Sequence, residues 1–193
     1  MADVIECQLG LGLRIGEALA LKFEDVDWES NQVRIHATLI ERRARTLKDG
    51  TKIPGWFGYQ PFTKSGEGKE RTVEAPRFLM DVLSRRMASS PTLNPNDSVF
   101  LTRNGTWVRP NTIRNHLRAA IDQAALDVDL EWFTPHKLRS TALTAIARAV
   151  DLDAAAELAG HGDPAITRQY YGPDEPAEPI LRGAILEQLA PGA

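Results

Sequence analysis

The apolar positions of this chain follow two periods: three-to-four-residue spacing over most of its length, and alternation over residues 31–75. Val4, Ile5 and Leu9 predict a short helix over residues 2–9, broken at Gly10-Leu11-Gly12. Leu13 to Leu21 resumes the helical spacing, with Arg14 and Glu17 three apart on one face and able to pair. The run 32–40 alternates as a strand does, and a long basic loop follows. Residues 58–63 and 70–75 then read as two strands around Ser65-Gly66-Glu67-Gly68. Two glycines in so short a polar link suit a β-hairpin turn, with Lys64 at its shoulder.

Helical spacing returns at Pro76 and runs to about residue 88, with Phe78, Leu79, Val82 and Leu83 on the apolar stripe. Residues 98–101 read as a short buried strand. A helix from Pro110 to about residue 126 turns Ile113, Leu117, Ala120, Ile121 and Ala124 inward and leaves Arg114 and Arg118, four apart, on an adjacent face. Thr134 and Pro135 suit the cap and first position of a helix to about residue 150. His136 and Arg139 are expected to project together from its first turn, at the helix end that favours an oxyanion. Asp153 is expected to cap a further short helix that stops at Gly160. After it, Asp163 and Pro164 start one more helix, which carries Tyr170 and Tyr171. These neighbours point about 100° apart, so only one of them faces a given site. Ile180, Leu181, Ala184, Ile185 and Leu189 form a last stripe beyond Pro173, Pro176 and Pro179. The pattern predicts an α+β chain, mainly helical, with a small antiparallel β-sheet.

Composition narrows the chemistry. With 193 residues, 42% of them apolar, the chain can bury a real core. No run of about 18 apolar residues is present, and Met1-Ala2-Asp3-Val4 lacks the start of a secretory signal, so a cytoplasmic location and no membrane partner are expected. Cys7 is the only cysteine, and His36, His116, His136 and His161 have no metal-binding spacing, so neither metal nor cofactor is expected. Gly66-Glu67-Gly68-Lys69 lacks the spacing of a phosphate-binding loop. The net charge is −3, yet residues 34–86 hold twelve Lys/Arg against six Asp/Glu, a local excess of +6. A molecule with one basic face holds a polyanion there, because phosphate contacts depend on local charge.

Two arginines (Arg14, Arg139), two histidines (His136, His161), a turn lysine (Lys64) and a tyrosine after a helix start are what metal-free attack on a phosphodiester requires. Guanidinium forks match non-bridging oxygens, while imidazole and ammonium move the two protons.

The chain resembles the tyrosine recombinases, the phage integrase family. The resemblance lies in Gly12-Leu13-Arg14-Ile15-Gly16-Glu17 followed by Leu21 and Asp25-Val26-Asp27, in Thr63-Lys64-Ser65 before Glu70-Arg71-Thr72-Val73, in Thr134-Pro135-His136-Lys137-Leu138-Arg139, and in Gly160-His161 with Thr167 and Tyr170. It implies the family's catalytic fold over residues 1–172, without the N-terminal core-binding domain, and a tail over 173–193 with a short amphipathic helix. It also implies that Arg14 and Arg139 grip the scissile phosphate and that His161 donates a hydrogen bond to it. His136 acts as general base, Lys64 protonates the 5′-oxygen and Glu17 orients its neighbours. The family spaces its nucleophile nine residues after the second histidine, which selects Tyr170. Arg42, Arg43, Arg45, Lys69, Arg71, Arg114 and Arg118 are expected to meet the backbone of double-stranded DNA. The implied working form is a homotetramer whose tail packs on a neighbour, with a monomer expected when DNA is absent. Type IB topoisomerase-like relaxation and a non-catalytic DNA-binding fragment are the alternatives.

Overall fold

In a computed structural model of the chain, the described residues are 1–91, 93–125, 130, 132–160 and 186–190. Helix α1 (Ala2–Leu11) runs through Gly10 and stops at Gly12, whose φ of 60° closes a left-handed cap with its amide on Gln8 O. Arg14 is extended, so α2 (Ile15–Ala20) begins two residues later than the periodicity predicts. Leu11, Leu13 and Leu19 are all fully buried around this corner. Each such leucine contributes about 1.5–3 kcal/mol by leaving water. Cys7 is buried there too, and burial pushes its thiol far above the ordinary range, leaving it unreactive.

A 3₁₀ turn (Phe23–Asp25) leads into β1 (Val26–Asp27) and β2 (Gln32–Ile35). These join β7 (Arg71–Glu74) in an antiparallel sheet of order β1-β2-β7, where Val33 faces Val73 and both are buried. The strand expected over 32–40 is two strands in two sheets. Alternation fails at Ala37, Thr38 and Leu39, which are all buried, as the chain passes into β3 (Thr38–Arg42). The segment expected to be a long basic loop is a ribbon. In it β3 pairs antiparallel with β6 (Trp56–Gln60), and β4 (Arg45–Thr46) pairs with β5 (Lys52–Ile53) toward the tip.

The hairpin expected between residues 58–63 and 70–75 does not form. β6 finds β3 and β7 finds β2, because each earlier partner offers a register that matches apolar residues, Leu39 with Tyr59 and Val33 with Val73. Only a local turn remains, in which the Gly66 amide donates to Thr63 O at 3.1 Å.

Helix α3 (Arg77–Ala88) buries Leu79, Val82 and Leu83 against α1. Residues 98–101 are not a strand; they make only isolated bridges, Lys22 with Ser98 and Leu101 with Trp107. α4 (Pro110–Ala124) buries Ile113 and Leu117, while Ala120 and Ile121 are half-buried and Ala124 is exposed, so its apolar face is narrower than expected. α5 (Pro135–Ala149) and α6 (Leu152–Ala159) pack together and bring Leu143, Ile146 and Leu158 into the core. The cap of α6 is Asp151, not Asp153: Asp151 Oδ1 accepts the Ala154 amide at 2.6 Å, and Asp153 stands in the first turn. The described end of the tail returns to this chain's own core. Leu186, which the predicted stripe skips, is fully buried there, and Glu187 Oε2 accepts the Phe78 amide at 3.3 Å. The stripe residues 180–185 lie outside the described residues. No described helix is long and apolar enough to cross a membrane.

Candidate active site

The site is built around a buried carboxylate. Glu17 is 1% exposed, in the first turn of α2, and its Oε2 accepts the Arg14 amide at 3.1 Å. Three guanidinium groups converge on it. Arg14 Nη1 meets Oε1 at 2.7 Å, Arg71 Nη2 meets Oε2 at 2.9 Å, and Arg139 Nη1 stands 3.7 Å from Oε2. Burial by itself raises the pKa of Glu17, but the charges of Arg71, Arg14 and Arg139 and the Arg71 hydrogen bond outweigh it and hold the carboxyl below the usual range. One negative charge thus sits among three positive ones, which leaves the cluster with an excess of positive charge.

Each cation is fixed by a different element. Arg14 caps α2, with a quarter of its side chain exposed. Arg71 enters from β7 with 9% of its side chain exposed. Arg139 rises from the first turn of α5 and donates from Nη1 to Gly12 O at 2.7 Å and from Nη2 to Ala159 O at 2.6 Å. The expectation that His136 and Arg139 project together is corrected here. Arg139 turns inward and is 2% exposed, whereas His136 stays exposed at the rim. Partial burial, and then Arg139, Arg14, Lys137 and Lys64, lower the His136 pKa from its ordinary value. At neutral pH its imidazole is therefore an uncharged base.

Two open cavities of about 760 and 700 Å³ adjoin Arg14 and share Arg14, Ile15, Lys64, Asn111 and Arg114. One also includes Arg43, and the other Arg118 and His136. The exposed Lys64 belongs to the walls of both. The structure thus brings Arg14, Lys64 and His136 to one groove, while Glu17 and Arg139 are buried and reach it through Arg14, which pairs with Glu17. His161 and Tyr170 lie outside the described residues, as does the helix start at Asp163-Pro164.

The expected DNA-contacting cations divide into three groups. Arg42, Arg43 and Arg45 stand on the ribbon, where every residue from 41 to 52 is exposed. The ribbon's base is fixed by Arg109, which reaches Glu41 Oε1 at 2.7 Å and lies 4.4 Å over the Phe57 ring, and by Tyr59 stacked on Trp107. Lys69 is exposed ahead of β7, and Arg114 and Arg118 are exposed on α4 in the cavity walls. Arg71 is beneath the surface on Glu17, not among these. Its place was open to the sequence, because alternation through β7 sets Arg71 on the same inward face as Val73. Among the described residues no three His, Cys, Asp or Glu side chains gather as a metal site would require.

The profile of the phage integrase family matches residues 2–176. The integrase of Staphylococcus phage L54a is 26% identical over 179 residues, covering 89% of this chain and 47% of that protein. Tyrosine recombinase XerC of Alcanivorax borkumensis is 25% identical over 173 residues, covering 86% and 46%. The chain spans about half the length of the curated relatives it matches. Among solved structures, the Tn1549 transposon integrase in complex with circular intermediate DNA superposes with a TM-score of 0.66 at 22% identity, covering 90% of this chain and 55% of that one. XerA recombinase superposes at 0.61 with 19% identity, covering 97% and 59%. These likenesses establish an α+β fold shared with tyrosine recombinases.

Proposed function

The chain belongs to the phage integrase family, and from that premise we propose that it is the catalytic part of a site-specific DNA recombinase. Residues 1–172 do the chemistry and 173–193 form the tail. The observation that carries this reading is a groove lined by Arg14, Lys64 and His136, with Arg14 held from beneath by the buried Glu17 on which Arg71 and Arg139 also converge.

Double-stranded DNA lies across the groove with a phosphate over Arg14 and Arg139. Tyr170 Oη attacks the phosphorus, and a bond forms between them as the bond from phosphorus to the 5′-oxygen breaks. The phenolic proton, whose ordinary pKa is about 10, passes to His136, which is poised uncharged to take it. Lys64 gives a proton to the departing 5′-oxygen, and His161 steadies the phosphate. The product is a 3′-phosphotyrosyl enzyme and a free 5′-hydroxyl. A 5′-hydroxyl from a second strand reverses the steps, so the bond energy is kept and no nucleotide is consumed. Strand exchange by this route uses four copies on two duplexes. The relatives' names, integrase and recombinase, do not favour simple relaxation of supercoils.

A nicked suicide duplex carrying the sequence that flanks the gene tests the reading. The wild-type chain becomes covalently attached and Tyr170→Phe does not. Attachment through Tyr171 in that variant, or no adduct with either protein, refutes it.

A further inference from the structure

The turn that carries Lys64 is tied to a part of the chain far away in sequence. Ser65 Oγ donates to Gly160 O at 2.7 Å, across 95 positions. The inner foot of the same turn is Thr63, which is 1% exposed and whose Oγ1 accepts the Ser65 amide at 3.3 Å. Lys64 stands between a buried foot and an outer tie, itself exposed. A lysine carries about 2 kcal/mol of rotamer entropy, so where its ammonium spends its time depends on the backbone beneath it.

The far end of the tie lies next to the other half of the site. Gly160 closes α6 with φ 63°, a left-handed cap. The Arg71 guanidinium lies so close that an added Cβ at Gly160 would meet its Nη1 at 2.9 Å. The preceding carbonyl, Ala159 O, accepts Arg139 Nη2. Backbone 159–160 therefore touches Arg139, Arg71 and the Lys64 turn, and His161 follows it directly in sequence.

We propose that Ser65 is a positioning residue: its hydroxyl locks the Lys64 turn onto the Gly160 carbonyl, so that the proton donor is held against the end of α6, beside Arg71 and Arg139. The proposal rests on Lys64 being the donor to the 5′-oxygen. Without the tie, Lys64 still reaches the oxygen, but in fewer of its conformations.

Two measurements on the full chain test this. The first compares cleavage of suicide duplexes with a bridging 5′-oxygen and a bridging 5′-sulfur at the scissile phosphate. Sulfur departs directly as a thiolate and takes its proton from solvent afterwards, because an ordinary thiol, with a pKa of about 8.5, is a far stronger acid than an alcohol. Ser65→Ala should cleave the oxygen duplex about tenfold more slowly, the loss that goes with one hydrogen bond. It should cleave the sulfur duplex within about twofold of wild type, and Ser65→Thr, which keeps the hydroxyl, should recover the oxygen duplex. Lys64→Ala should show the same pattern more strongly, since general acid catalysis is worth about 10²–10⁴-fold. Equal losses on both duplexes, or no loss on either, overturn the proposal. Failure of the wild type on both duplexes counts instead against the recombinase reading. The second measurement needs no DNA. Amide hydrogen exchange across residues 64–70 should be faster in Ser65→Ala than in wild type or Ser65→Thr, and equal exchange in all three overturns the tie.

Discussion

Replacing Glu17 by Gln tests whether one buried carboxylate holds the site together. The variant keeps the shape and removes the charge. Whichever way the new amide turns, its NH₂ faces a donor: Arg14 Nη1 at the Oε1 position, or Arg71 Nη2 and the Arg14 amide at the Oε2 position. Three guanidinium groups are then left with no counter-charge at their centre. Breaking a buried pair by removing one partner costs about 3–5 kcal/mol, and for a chain of this size each kcal/mol moves Tm by about 2–4 °C. The expected loss is therefore about 10 °C, measured by urea unfolding and thermal melts at pH 7; guanidinium salts would screen the interaction being measured. The pH dependence gives a second check. The folded-state pKa of Glu17 is depressed, so its contribution is present above the unfolded value of about 4.5 and is lost as pH falls through the folded one. The gap between wild type and variant should close in acid. A gap under about 0.5 kcal/mol at pH 7, the range of an ordinary surface change, would refute the central role of this carboxylate. So would a gap that stays constant down to low pH.

Three further outcomes follow from the same structure. Gly16→Ala places a Cβ 2.5 Å from Thr38 Oγ1 and 2.7 Å from Leu39 O, so α2 and β3 must part; the expected cost is about 1–3 kcal/mol in urea unfolding, with slower cleavage because Arg14 caps that helix. The half-maximal rate of adduct formation on the acid side should lie below about pH 6.5, because the depressed pKa keeps His136 uncharged to lower pH than an ordinary imidazole; a half-maximal rate at or above 6.5 contradicts this. DNA affinity should fall with salt at a log–log slope of about 0.9 per phosphate neutralised, and Arg43→Ala on the exposed ribbon should reduce that slope by about one; an unchanged slope removes Arg43 from the interface.

Most of the helices are legible in the sequence because each carries a local stop or start. Pro110 and Pro135 open α4 and α5 where expected, and Gly160 ends α6. Strand pairing is not local in this sense. The link 64–69 looks like a hairpin turn because it is short and holds two glycines, but pairing depends on which partner buries the apolar face, and those partners lie upstream at Val33 and Leu39. Arg71 is different: alternation with Val73 sets it on the inward face of β7, so local pattern alone separates it from exposed neighbours such as Lys69, and only its partner Glu17 is non-local. Arg14 and Glu17 were readable as a pair because they are three residues apart, but that spacing fits a surface salt bridge equally well. What makes it a site is burial, and burial here comes from α5 and β7 closing over the carboxylate with Arg139 and Arg71. An exposed ion pair is worth at most about 1 kcal/mol, whereas a buried carboxylate shared by three arginines fixes where each guanidinium points. Sequence spacing therefore located the Arg14–Glu17 pair, and the fold adds Arg71 and Arg139 to the same carboxylate.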